Sequence, residues 1–386
     1  MKIVQYIHSL DIGGAEIHTL ELCKGLVKLG HEVIIVGPEG SLGSEFEKAR
    51  VKVIIDNPIG YKIDFGFIAR QIKFLKIEKP QVVHCHEFLL TVHGLIAGFR
   101  AAVPVRVVNV HSPLPGWNTP IYKKIPNLIL NFVLVNLMAT DVIALTHATR
   151  KLRLWGELIL PWKIRVIPNG IEIKKFSPQR NDKTEAHLKL CRKLKMPPQT
   201  FVIGTLSRLS VEKGVDVGIK GFMEFLNKVP NPHDFHLVIA GEGVLKSELE
   251  ELVAKGNKNR YITFLGEIEE GFKPSYLWGL DLFLFPTKYE GFGLVLTEAM
   301  VAKSLTLSSN LQVLREITED GRFGYHFKKS NPNDLCKTLR KIIDSTHSHE
   351  KMLEGASEHV SINYSLEKFV KSYAQLYENS LRRNTL

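Results

Sequence analysis

PNGIEIKKFSP, residues 168–178, is a Pro/Gly/Asn-marked connection that stops one alternation of strand-like and helix-like patterns and precedes a second. On its N-terminal side, KIVQYI (2–7), EVIIVG (32–37), VKVII (51–55), QVVHC (81–85), VRVVNV (105–110), DVIAL (141–145) and IRVI (164–167) are β-branched runs that read as strands. Between them, segments such as AEIHTLELCKGLVKL (15–29) space their apolar residues by three and four, and Gly30 suits a helix stop. On its C-terminal side, FVIGTL (201–206), FHLVIA (235–240), YITFLG (261–266) and DLFLFP (281–286) form a second set of strands. Strand and helix in alternation imply a mostly parallel sheet covered on both faces. The expected fold class is α/β: two doubly wound domains, residues 1–168 and 169–364, with a hinge near residue 170. Ligands of such sheets bind beyond the carboxyl ends of the strands, so an interdomain cleft is the expected active site.

The bulk numbers agree with two cores, since 386 residues exceed what one usually fills. A net charge of +11 favours anionic partners, but no single basic tract carries it. Cys23, Cys85, Cys191 and Cys336 are scattered, which argues against a zinc site or a disulfide framework and fits a reducing compartment. The N-terminus has too short an apolar run for a signal peptide. The longest greasy segment, IPNLILNFVLVNLMA (125–139), is broken by Asn127, Asn131 and Asn136 and falls short of the ~20 residues that span a bilayer. It reads as a buried helix, and the chain as cytoplasmic.

Several loops carry candidate chemistry. HSLDIGGAE (8–16) follows the first strand and opens a helix; Gly13 and Gly14 would let a ligand phosphate approach free N–H groups, or simply form a turn. SRLSVEKGVD (207–216) places Arg208 and Lys213 at a strand's carboxyl end, beside a helix start at Gly214, a good setting for a diphosphate. GEGVLKSELE (241–250) has too few glycines for a dinucleotide fingerprint. HCHE (84–87) invites a metal reading through His84, His86 and Glu87. It is set aside on the expectation that strand alternation turns the two imidazoles to opposite faces, and because no H-E-x-x-H or D-x-D spacing occurs. No metal is expected. His111, at another strand end, is either a cleft residue or a packed loop histidine.

YEGFGLVLTEAM (289–300) reads as a polar loop holding Glu290 and a helix from Gly293 to Ala302 holding Glu298. At ~1.5 Å rise per residue the carboxylates would lie roughly 8–12 Å apart, wide for the acid–base pair of a glycosidase. Amides of Phe292, Gly293 and Leu294 lie between them. The layout suits one extended polyhydroxy ligand gripped by an acid at each end.

GGAE, HS after a strand, PNGIEIKKFSP, SRLSVEKG, HLVIAGEG, ITFLGEI and EGFGLVLTEAM follow one another in the order and spacing of retaining glycosyltransferases of family 4, which the chain resembles over roughly residues 1–380. The resemblance implies a GT-B architecture of two Rossmann-like domains facing a cleft, with the nucleotide-sugar donor held chiefly by the C-terminal one. The C-terminal helix, residues 365–386, would return to the N-terminal domain. It implies that Arg208 and Lys213 meet the donor diphosphate, that Glu298 takes the ribose hydroxyls and that Glu290 faces the transferred sugar. Amides of Phe292, Gly293 and Leu294 would contact sugar and phosphate, and Gly13, Gly14, Gly241, Glu267 and Ile268 would line the donor. His111 matches the histidine beside the sugar's reactive face. No cofactor is implied, since the UDP- or GDP-sugar is itself a substrate. The acceptor would be a glycan or lipid-linked glycan of cell-surface polysaccharide or lipopolysaccharide synthesis, and no nucleic acid is involved. Residues 111–130 and 150–163, basic and greasy, would either rest on an anionic membrane at its inner face or pack as amphipathic helices. The chain leaves the family pattern at VAKSLTLSSNLQVLREI (301–317), where a small-Gly-x-Pro stretch and a Gly-Gly pair are usual. Two other readings of the same fold remain: a sugar-nucleotide epimerase, or a binder without transferase activity.

Overall fold

The computed structural model describes residues 1–11, 13–59, 63–109, 121–345 and 348–385. The chain divides into two compact units, Met1–Gly170 with Leu366–Leu386, and Ile171–Ser365.

The first unit is built on a seven-stranded parallel sheet: β1 (Lys2–Tyr6), β2 (Glu32–Gly37), β3 (Lys52–Ile55), β4 (Val82–His86), β5 (Val105–Asn109), β6 (Asp141–Ala144) and β7 (Ile164–Val166), in the order β3-β2-β1-β4-β5-β6-β7. All seven expected strands are present, and β4 is buried along its whole length, as a strand covered on both faces must be. The order reverses between β1 and β4, which opens a crevice at their carboxyl ends. The C-terminal helix, Leu366–Thr385, is part of this unit. Tyr373 and Tyr377 are fully buried there, with the Tyr377 hydroxyl 2.8 Å from His84 Nδ1 and the Tyr373 hydroxyl accepting from Asn109 Nδ2 at 3.1 Å. Buried Asp141 receives Ser380 Oγ at 2.6 Å and Arg383 at 2.8 Å, which offsets the cost of its desolvation.

The helix Ile121–Met138 corrects one expectation: it is not buried. Asn131, Leu134 and Val135 face inward, whereas Ile125, Ile129, Phe132 and Leu137 are exposed. A run apolar on all sides gives no period that chooses the inner face. Here the polar breaks choose it, because Asn131 bonds Glu157 at 3.4 Å and Asn136 bonds the Leu158 carbonyl at 3.1 Å. The four cysteines are buried as free thiols, with Cys23 and Cys85 pushed well up by burial.

The second unit has six parallel strands where four were expected: β8 (Phe201–Leu206), β9 (Phe235–Ala240), β10 (Ile262–Gly266), β11 (Leu282–Phe285), β12 (Leu305–Ser309) and β13 (Tyr325–Phe327), ordered β10-β9-β8-β11-β12-β13. β12, LTLSS, is entirely buried although two of its five residues are serine. Ser309 donates to the Thr287 carbonyl and Ser308 lies 3.1 Å from His326 Nδ1, so both serine hydroxyls are satisfied. Ile203, Phe222, Phe225, Leu237, Leu284 and Leu307 share one core, each such side chain contributing ~1.5–3 kcal/mol by leaving water.

Candidate functional site

In the second sheet the order reverses between β8 and β11, so the loops after these strands meet at the switch point. They are the Arg208/Lys213 loop and the loop that carries Glu290. Lys213 Nζ donates to Glu290 Oε2 at 2.8 Å, the Lys288 amide donates to the Glu212 carbonyl at 2.7 Å, and Thr287 Oγ1 donates to it at 3.1 Å. Gly214, at φ +64°, has its missing Cβ position 2.2 Å from the Pro286 carbonyl, so the two loops meet only because it is glycine. A third loop, after β9, is stitched to the first: Leu209 N donates to the Glu242 carbonyl at 2.8 Å and Leu245 N to the Leu209 carbonyl at 3.1 Å. Gly241 in turn donates to the Gly266 carbonyl at 2.7 Å, drawing in the loop after β10, where Glu267 is exposed and Ile268 half-buried. Arg208 is exposed on this rim.

The helix Leu294–Val301 starts from Gly293, which is left-handed at φ +106°. It is shorter by a residue at each end than the spacing predicts. Its free amides open at the switch point, where the helix dipole favours an anion. Phe292 is buried and sets its ring edge against Tyr364, centroids 5.5 Å apart. Glu298 is 6 % exposed, and the Lys273 ammonium lies 2.8 Å from both of its oxygens. The two glutamates therefore have separate cations, Lys213 for Glu290 and Lys273 for Glu298.

Lys273 is the site residue that sequence reading missed. It lies 25 residues before Glu298 and belongs to no motif. Its ammonium also sits 5.7 Å from the Phe176 ring centroid, which Lys175 shares at 5.5 Å, and Lys175 pairs with Glu270 at 2.7 Å. Burial raises the Glu298 carboxyl above its ordinary range, Lys273 pulls it back, Glu270 pushes it up and Lys175 pulls it down. A raised carboxyl takes up its proton at a higher pH than a free one. If Glu298 accepts ligand hydroxyls, binding should be full above that raised value and fall as pH drops through it. Lys273→Met is expected to move the loss to higher pH and to weaken nucleotide binding at neutral pH about tenfold, or ~1.4 kcal/mol. Lys273→Arg should restore it, and Glu298→Gln should flatten the profile; nucleotide titrations across the acid side of neutral check all three.

In the first unit, Gly13 precedes the helix Gly14–Lys28 with an extended backbone, and a Cβ on it would meet only the mobile end of Glu16. No atom lies within 4 Å of the Cβ position of Gly14, so the fold itself does not demand glycine there. His111 lies outside the described residues. Contrary to the opposite-face expectation, His84 and His86 share one side of β4, because two residues apart is a full strand period, and their ring centroids are 4.2 Å apart. His86 Nε2 contacts Gln5 Oε1 at 2.8 Å. Glu87, next in sequence, sits at the β1/β4 crevice with φ +64°, and burial, then Glu16, pushes its carboxyl up to about 7. In the divergent stretch, Lys303 takes the left-handed conformation (φ +55°) that explains the usual glycine, and it pairs with Glu354 at 2.6 Å. Gln312 begins the helix Gln312–Ile317, whose Leu314 lies 3.0 Å from the Cβ position of Gly293.

Comparison with known proteins places both halves. The family described as Glycosyltransferase Family 4 matches residues 12–175, and that described as Glycosyl transferases group 1 matches residues 189–359. A glycosyltransferase of Methanocaldococcus jannaschii is 24 % identical over 95 % of this chain and 94 % of its own. The alpha-monoglucosyldiacylglycerol synthase of Acholeplasma laidlawii is 25 % identical over 97 % and 95 %. Among solved structures, Anabaena HepE in complex with UDP is 20 % identical and superposes with a TM-score of 0.84 over 98 % of this chain and 100 % of its own.

Proposed function

This chain belongs to the group 1 glycosyltransferases of family 4, and from that we propose that it moves a hexose-type sugar from a nucleoside-diphosphate sugar to a glycan or lipid-linked acceptor, with retention and without a metal. The observation that carries the reading is the Lys213–Glu290 pair at the β8/β11 switch point, where a cation and a sugar-facing acid are already joined at 2.8 Å. UDP is the favoured nucleotide, because HepE was solved with UDP and with UDP-glucose.

When the anomeric C–O bond breaks, negative charge grows on the departing diphosphate. In this reading Arg208, Lys213 and the amides that open the helix at Leu294 stabilise it, and this is the largest expected contribution to rate. The acceptor oxygen attacks the same face of the sugar, and its proton passes to the released phosphate oxygen. Glu298 takes the ribose hydroxyls and Glu290 the sugar hydroxyls, while Gly241, Glu267 and Ile268 line the nucleotide. We assign the acceptor to the first unit, with Glu16 and Glu87 of the β1/β4 crevice as its hydrogen-bond acceptors.

The acceptor belongs to cell-surface polysaccharide or lipopolysaccharide synthesis, and the protein works on the cytoplasmic side of the membrane. The Acholeplasma relative, named for a glucosylated diacylglycerol, supports a lipid-borne acceptor. Among the described residues no helix is long and apolar enough to cross a membrane. A binder or epimerase of the same fold is the second reading, favoured by Gln312 and Val313 standing where the family has Gly-Gly. Incubation with UDP-, GDP- and ADP-sugars, with and without acceptor lysate, separates these readings. The expected result is slow donor hydrolysis alone and faster sugar transfer with lysate. Nucleotide binding without either reaction would favour the binder, and conversion to an epimeric sugar nucleotide would favour the epimerase.

A further inference from the structure

The helix Ile121–Met138 exposes Ile125, Ile129 and Phe132, spaced by four and three on one helical face, and Leu137 further round the same open side. Apolar exposure continues on the next segment. Asn136 joins the helix end to residues 158–163, donating to the Leu158 carbonyl at 3.1 Å and accepting from Leu160 N at 2.9 Å. Lys163 Nζ closes the same junction, 2.6 Å from the Asn136 and Ala139 carbonyls. These bonds bring residues 158–163, with Leu158 and Trp162 exposed (Trp162 64 %), to the helix end that carries Leu137 (69 %), and Trp155 (76 %) lies at the end of the helix His147–Gly156 just before them. Scattered apolar residues on a surface need no explanation, but seven exposed apolar side chains on joined segments, two of them tryptophan, do.

The charge around these residues is one-sided. From Arg100 to Arg165 the sequence has nine Lys or Arg and only two acids, Asp141 and Glu157. Both acids are buried, so among the described residues of this stretch no carboxylate faces solvent. The asymmetry extends to the whole unit. Met1–Gly170 with Leu366–Leu386 carries 24 basic against 15 acidic residues, and Ile171–Ser365 carries 27 against 25. A second copy of this chain would bring the same positive field to the contact, whereas an anionic bilayer complements it. Tryptophan is also the side chain suited to the headgroup boundary, with an apolar body and one N–H for water.

We propose that this face, Ile125–Leu137 with Trp155, Leu158 and Trp162, seats the protein on an anionic lipid bilayer. Docking sharpens the acceptor reading above by naming the surface, but it requires no sugar nucleotide and so is tested separately. The full chain is sedimented with vesicles of phosphatidylcholine alone or mixed with phosphatidylglycerol. Binding to the mixed vesicles should exceed binding to the neutral ones about tenfold or more and weaken with salt. Trp155→Ser with Trp162→Ser, and Ile129→Glu with Leu137→Glu, should each cut it about tenfold or more, with the melting temperature unchanged. Lys151→Glu, an exposed charge reversal, gives an independent reading if an apolar variant misfolds, and it should weaken binding to anionic vesicles only. Equal binding to both vesicle types, no binding, or variants that bind like the parent chain would overturn the proposal. So would a dimer, seen by light scattering, that Ile129→Glu with Leu137→Glu dissolves while vesicles stay unbound. Nucleotide titration of the same preparation shows whether the donor site stands regardless of the outcome.

Discussion

Lys213→Ala is expected to slow sugar transfer by about two to three orders of magnitude, ~2.7–4 kcal/mol of barrier, by analogy with the loss of one donor from an oxyanion hole. The loss should fall mainly on kcat, because the diphosphate gains its extra charge only as the anomeric bond breaks. The same substitution should barely touch stability. Lys213 and Glu290 are both partly solvated, and such a pair contributes about 1 kcal/mol or less. Lys213→Arg keeps the charge but changes the shape, so it should recover part of the rate. Arg208→Ala should resemble Lys213→Ala, and the double variant should lose less than the product of the two, since both cations serve one leaving group. Single-turnover transfer from a labelled sugar nucleotide, with thermal melting as the companion, measures each part.

Gly241→Ala should have the largest effect on stability. The added Cβ would stand 1.9 Å from the Ser207 carbonyl oxygen, backbone against backbone, at a φ of +126°. Left-handed strain costs of order 1–3 kcal/mol and forced overpacking typically another 1–3, so a loss of about 3 kcal/mol or more is expected in urea unfolding. Because Gly241 carries the contact between the loop after β9 and the Arg208 loop, nucleotide affinity should fall along with stability. Gly14→Ala is the control: with nothing within 4 Å of its Cβ position, the fold should change by no more than about 0.5 kcal/mol. A donor or acceptor defect in that variant would report a ligand passing close to the first loop.

Much of this was legible in the sequence, and the gaps have physical causes. All seven strands of the first sheet showed because parallel strands covered on both faces are continuous apolar runs. The second sheet lost β12 and β13 for the opposite reason. LTLSS buries two serines by giving their hydroxyls to Thr287 and His326, partners that no window of sequence displays. Loop chemistry was readable where glycine and charge coincide, as at Lys213-Gly214 and Glu290–Gly293. Lys273 was not, because its meaning comes from Glu298 on another helix. The helix Ile121–Met138 was assigned the right element and the wrong environment. Its apolar residues run all the way round, and only the tertiary bonds of Asn131 and Asn136 decide which side faces water.

The central claim is that the β8/β11 switch point holds a nucleoside diphosphate between two cations and two acids. Equilibrium titration of UDP, GDP and ADP against the parent chain, Lys213→Ala and Glu298→Ala tests it most directly. The account predicts saturable binding of at least one of these nucleotides, weakened about tenfold or more in each variant, ~1.4 kcal/mol or above. Absence of binding by all three, or binding that both variants leave unchanged, would contradict it.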